Sequence, residues 1–116
     1  MITRKSEMQI DHQNVRNGNG DIEFRRIIRT PEELCNKGRL FSHMVLQPGQ
    51  SVGYHQHVGD MEWYYILRGH GEYNDNGRIE PVGPGDVTVC HDGESHGLVN
   101  TCSETLEMIA LVLYTA

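Results

Sequence analysis

The chain has 116 residues, with 16 acidic against 10 basic side chains, a formal net charge of −6, 13 glycines and 3 cysteines. That length suits one domain around a single core, and the negative balance, with no basic run anywhere, argues against nucleic acid or an anionic membrane as partner. Cys35, Cys90 and Cys102 are odd in number and lack a CxxC pair, which suits reduced thiols in the cytoplasm better than a disulfide framework or a zinc ribbon.

Residues 1–20 are polar and end in "NVRNGNG", an N-terminal arm expected to be mobile or to lie across a neighbour, without the apolar segment of a signal peptide. The domain then occupies 21–116. In "DIEFRRII" Ile22, Phe24 and Ile28 share one parity, as on a half-buried strand. Arg26 falls on the same parity, either snorkelling to water at a strand end or binding an anion inside a pocket. "TPEELCNKG" reads as one short helix, with Thr30 as N-cap, Pro31 at the first helical position, Glu33 closing a capping box and Gly38 as C-cap. From Arg39 the pattern predicts strands at 39–47, 51–58, 61–68, 71–74, 78–82, 86–90, 95–100 and 105–114, separated by Pro-Gly, Gly-Asp, Asn-Gly and Gly-Glu turns. "NDNG" at 74–77 is the strongest hairpin signal. The longest apolar run, Met108 to Tyr114, is too short to span a bilayer. So many short strands predict an all-β sandwich or barrel.

The chemistry concentrates in "YHQHVGDMEW". Strand residues two apart share a face, so His55 and His57 can aim two imidazoles at one point. Glu62 is expected on the returning strand beside them, so that one hairpin gathers three ligands suited to a first-row transition metal. Alone, the same pair equally describes two exposed histidines on a polar strand face.

Gly49–x5–His55–x–His57–x4–Glu62–x6–Gly69 resembles the first motif of the cupin superfamily. Gly85–x5–His91–x–Gly93–x2–His96–x3–Asn100 resembles the second, with His91 where the family usually carries proline. The resemblance implies an all-β fold, a double-stranded β-helix or jelly-roll barrel with one short helix. It also implies one divalent transition metal ion (Mn, Fe, Ni, Co, Cu or Zn) held by His55, His57, Glu62 and His96, and a small-molecule ligand. Two functional classes follow from it. One is a metal-dependent dioxygenase or decarboxylase acting on a small oxygenated acid or enolisable compound; the other is a non-catalytic binding or sensing cupin.

Beyond the ligands, Tyr64, His91 and Arg26 are the candidates for a catalytic role. Tyr64 continues the inward parity of Glu62, either as a phenol donating to a bound acid or as a core tyrosine bonded to backbone. His91 is either part of a relaxed turn at the barrel rim or a titratable group beside the metal mouth. Cys90 reads as an inert buried thiol, and His43 and His70 as surface or packing residues. The opposite parity, Trp63, Tyr65 and Leu67, should face outward as an apolar row. Covering that row predicts a two-fold homodimer.

Overall fold

Glycine, proline and asparagine punctuate the chain into short extended runs, and a computed structural model, which describes residues 1–116, shows ten strands between them. They are β1 (Ile10–Gln13), β2 (Ile22–Arg26), β3 (Gly38–Leu46), β4 (Ser51–Gln56), β5 (Asp60–Arg68), β6 (Gly71–Asp75), β7 (Arg78–Val82), β8 (Val87–Cys90), β9 (Ser95–Val99) and β10 (Leu106–Tyr114). A six-stranded sheet runs β1-β2-β3-β10-β5-β8 and a four-stranded sheet runs β4-β9-β6-β7. Every pairing is antiparallel. This is the jelly-roll form of an all-β fold, and no helix is long and apolar enough to cross a membrane.

Period-two alternation decides what goes inside. Glu62, Tyr64 and Ile66 on β5 are buried, as are Leu106, Met108, Ala110 and Val112 on β10. Tyr64, Ile66, Leu106, Met108 and Ala110 join Ile22, Phe24, Met44, Leu46, Val52 and Leu98 in one core between the sheets. Each fully buried aliphatic side chain of this set contributes about 1.5–3 kcal/mol by leaving water. At the β6–β7 hairpin, Asn76 and Gly77 both take positive φ (54° and 95°), the type I′ geometry that "NDNG" calls for.

Three expectations change. The short helix is one 3₁₀ turn, Pro31–Leu34, joined by a second at Lys5–Glu7. Thr30 makes no side-chain cap; instead the Glu33 carboxylate accepts from the Arg29 backbone N–H at 3.0 Å. So few residues cannot offset the cost of nucleating an α-helix, and Gly38 belongs to β3, where a Cβ would stand 2.2 Å from the Val112 carbonyl oxygen. Secondly, the N-terminal arm lies against its own domain: β1 pairs with β2, and Val15 packs on the core.

The third change concerns the histidine strand. β5 does not return beside β4; the two lie in different sheets, linked by the Val58–Gly59 corner. β4 pairs with β9 instead, placing His55 directly opposite His96. A turn signal reports that the chain reverses, not which sheet receives the next strand.

Candidate metal centre and ligand cavity

β4 carries a conflict between its burial pattern and its histidines. Val52 is buried and His55 also faces in, although residues three apart on a regular strand point to opposite sides. A bulge resolves it. Val52 pairs with Leu98 and His55 with His96, so Gly53 and Tyr54 together oppose the single residue Gly97. Glycine is required at 53 by space, since a Cβ there would lie 1.9 Å from the carbonyl oxygen of Arg16.

His57 follows β4, held by backbone bonds to Glu94 and Gly93. Glu62 comes from β5 across the sandwich, and His96 from β9. The nearest donor atoms converge closely. His55 Nε2 lies 3.2 Å from His57 Nε2, which lies 3.1 Å from His96 Nε2. Glu62 Oε1 stands 3.3 Å from His57 Nε2 and 3.0 Å from His96 Nε2, and all four ligand atoms lie within 4.8 Å of one another.

The other nitrogen of each ring is already engaged. His55 Nδ1 donates to the Gly53 carbonyl oxygen at 2.6 Å and His57 Nδ1 to Asp60 Oδ1 at 2.6 Å. His96 Nδ1 meets the Tyr73 hydroxyl at 2.8 Å. With Nδ1 of each ring so engaged, all three Nε2 atoms face one point beside the Glu62 carboxylate, and as neutral imidazoles they would offer three lone pairs to a metal ion. Metal–nitrogen bonds of about 2.0–2.1 Å require donor spacings of this size. The residues therefore fit a divalent transition metal ion.

Electrostatics agrees with the geometry. Burial pushes His55 down to about 4, assisted by the neighbouring His96 and His57. Burial also opposes charge on His57, but its hydrogen bonds to Glu62 and Asp60 prevail and raise its pKa above 6.5. Burial would raise Glu62, yet the hydrogen bonds from His57 and His96 hold it at about 2. Asp60, buried but bonded to His57 and Arg39, is held below the usual carboxylate range. Arg39 Nε donates to Asp60 Oδ2 at 2.9 Å, so a chain runs from Arg39 through Asp60 to the His57 imidazole.

A cavity of about 290 Å³ opens onto His55, His57 and Glu62. Phe24, Leu40, Met44 and Val52 form its apolar wall, and Gln13, Asn14, Arg16, Arg39 and Tyr64 its polar one. Tyr64 stacks on His96 with ring centroids 5.2 Å apart, and burial together with the Glu62 carboxylate raises its phenol well above 10. His91 is exposed on the Asp92–Gly93 turn, bonded to Glu94 at 2.8 Å, and does not line the cavity. Nor does Arg26. It forms a two-point ion pair with Asp11 (2.8 and 2.9 Å) and lies over the Phe24 ring. Cys90 is buried and its thiol is pushed up to about 12, chiefly by burial.

The sequence reading missed Asp60, Tyr73, Arg39 and the 13–16 segment. Asp60 stands three residues after His57, a spacing that could have flagged it as a partner rather than a turn residue. Arg39 had no such signal. Leu40 pairs with Val112 and Gly38 with Leu113, leaving Arg39 as the odd residue of a second bulge.

Comparison with known proteins agrees with this architecture. The cupin domain profile matches residues 42–113. The chain belongs to the cupin family. A curated relative of this cupin, the oxalate-binding protein of Thermotoga maritima, is 42% identical over 114 residues, covering 97% of this chain and 93% of its own. The crystal structure of a predicted oxalate decarboxylase from Thermotoga maritima superposes with a TM-score of 0.91 at 42% identity, covering 98% of this chain and 99% of that one. The polyketide cyclase RemF of Streptomyces resistomycificus, at 22% identity and a TM-score of 0.76 over 100% of this chain and 81% of its own, shares the fold.

Proposed function

We propose that this cupin binds a small chelating carboxylate anion of the oxalate kind on a divalent transition metal ion (Mn, Fe, Co, Ni, Cu or Zn) held by His55, His57, Glu62 and His96. The observation that carries the reading is the cavity, which joins three of those donors to two arginines and a buried phenol. The 42% identical Thermotoga maritima protein, named for binding oxalate, supports the same ligand class. When bound, the ion supplies a Lewis acid that ties down and polarises a chelating carboxylate. The chain's own residues do the rest. Gly53, Asp60 and Tyr73 keep the three Nε2 atoms turned inward, and the apolar wall lines one side of the cavity.

Binding is the first reading because the 42% identical relative is named for binding oxalate. Loss of CO₂ leaves a carbanion that needs a proton. Apart from the ligands, the ionisable groups of the lining are Arg16, Arg39 and Tyr64. Arginine is a permanent cation in proteins, which leaves the Tyr64 phenol as the one non-ligand proton donor of the lining for that step. Decarboxylation and dioxygenation are the second reading. Calorimetry of the Mn-loaded protein should show metal-dependent oxalate binding, with neither CO₂ release nor oxygen uptake on prolonged incubation. Absence of metal-dependent binding would overturn the proposal, and catalytic CO₂ release would replace it with the decarboxylase reading.

A homodimer in the cytoplasm belongs to this proposal. Tyr65, Leu67 and Val87 are 48%, 43% and 59% exposed on the outer face of the six-stranded sheet, beside Trp63, Ile109 and Leu111. A second copy would cover that face. Unpaired Cys35, Cys90 and Cys102 support a reducing compartment.

A further inference from the structure

The two arginines at the cavity differ in how much of each guanidinium the protein uses. Arg39 spends only Nε on Asp60; its two terminal nitrogens have no protein partner. The Arg16 guanidinium makes neither a hydrogen bond nor an ion pair within the chain. Both residues line the cavity, whose only carboxylate is Glu62, itself one of the four metal donors. In a chain of net charge −6 this is a local concentration of cations facing the cavity.

Arg16 is placed there at some cost. It and Asn17 take left-handed backbone (φ 54° and 59°), uncommon for residues with a side chain. Their segment is pressed flush onto β4. Gly53 N–H and Gly18 N–H both donate to the Val15 carbonyl oxygen at 3.0 Å, and a Cβ on Gly18 would sit 2.1 Å from the Ser51 carbonyl oxygen. The Asn14 side-chain amide donates to the carbonyl oxygens of Gly18 and Gly20, closing the loop on itself. The same close approach at the β4 bulge thus sets the Arg16 backbone against Gly53, two residues before His55, on the wall of the cavity. Arg16 and Arg39 also lie outside residues 42–113, the span matched by the family profile, so this wall is a feature of the flanking segments.

We propose that Arg16 and Arg39 form a subsite for a second carboxylate, so that the cavity selects dianionic chelating acids over isosteric monoanions. This rests on the metal-dependent anion binding proposed above and names what discriminates within it. The acid chelates the ion through one oxygen of each carboxylate, which leaves an outer oxygen on each. The outer oxygen of the second carboxylate accepts hydrogen bonds from Arg16 and from the terminal nitrogens of Arg39, a guanidinium–carboxylate pairing of the strong, charge-assisted kind. Arg39 is in addition a positioning residue, because the same guanidinium braces Asp60 against His57.

The test compares oxalate with oxamate, which has the same shape and one charge fewer, by calorimetry on Mn-loaded protein, with metal affinity measured separately. Wild type should bind oxalate at least about tenfold more tightly, the scale of one hydrogen bond between charged groups. Arg16→Gln should remove most of that preference, weakening oxalate while leaving oxamate and metal affinity unchanged. Arg39→Gln should weaken oxalate and also lower metal affinity several-fold, and Arg39→Lys should not restore the latter, since an ammonium lacks the fork that engages two partners. Equal affinity for the two anions in wild type, or an equal loss of both in Arg16→Gln, would overturn the subsite while leaving metal-dependent binding intact. If wild type binds neither anion, both proposals fall. Arg16 makes no side-chain contact the fold relies on, so its variant decides the matter even if Arg39→Gln does not fold.

Discussion

Replacing Asp60 by asparagine should weaken metal binding by about tenfold at alkaline pH, and by less as the pH falls. Asp60 is 8% exposed and accepts from His57 Nδ1 at 2.6 Å and from Arg39 Nε at 2.9 Å. Asparagine keeps the shape and an acceptor oxygen but loses the charge. Hydrogen bonds to charged groups contribute about 1.5–3 kcal/mol against about 0.5–1.5 for neutral pairs, so the bond to His57 loses about 1–1.5 kcal/mol. That converts to roughly five- to twelvefold in affinity, within reach of the range of about 10–100-fold seen for groups that orient metal-bound histidines. The pH signature follows from His57. Asp60 is one of the groups that raise its pKa above 6.5, so the carboxylate favours a proton on that ring as well as a metal ion. Well above that pKa no proton competes and the full loss appears; below it the variant also sheds its proton more easily, and the two effects offset. Competition against a chromophoric chelator at about pH 8 and about pH 6 measures both. A variant within twofold of wild type at the higher pH, or an equal loss at both, would refute the argument.

His96→Ala should strip most of the bound metal yet leave the strand signature in circular dichroism, because its backbone keeps the β4–β9 and β6–β9 pairings; unchanged metal content by mass spectrometry would remove His96 from the ligand set. In ion-free protein, His57, raised in the fold, stabilises fully below 6.5 and loses that contribution as pH rises through its folded value. His55, depressed from 6.5 to about 4, destabilises as pH falls between those values, and Glu62, depressed from 4.5 to about 2, adds to the loss below 4.5. Melting temperature should therefore peak near pH 6.5, and a monotonic rise from about pH 5 to about pH 9 would contradict the assignment. Trp63→Glu should convert a dimer to a monomer with unchanged metal content, since Trp63 faces away from the site while Glu62 faces in; a wild type that sediments as a monomer at tens of micromolar would exclude the interface.

Local chemistry was enough for most of the strands, though β1 was not foreseen, while the four clustered side chains were picked out through the family resemblance. Period-two burial made Glu62, Tyr64 and Ile66 inward and Tyr65 and Leu67 outward, and the structure has them so. "NDNG" specified its own turn because only residues tolerant of positive φ can close a two-residue hairpin. His55, His57, Glu62 and His96 were legible because their spacing survives as motif. What the sequence could not convey was how strands are shared between sheets and where alternation breaks. His55 shares an inward face with Val52 only through the bulge at Gly53–Tyr54, and Arg39 is released from its neighbours by a second bulge. A bulge depends on which partner strand lies opposite, a fact fixed by non-local pairing. The same holds for Arg16 and Asp60. Polar residues in loops carry no periodicity, and they acquire a role only when the tertiary fold lays one loop against β4 and tucks the other beneath a ligand imidazole.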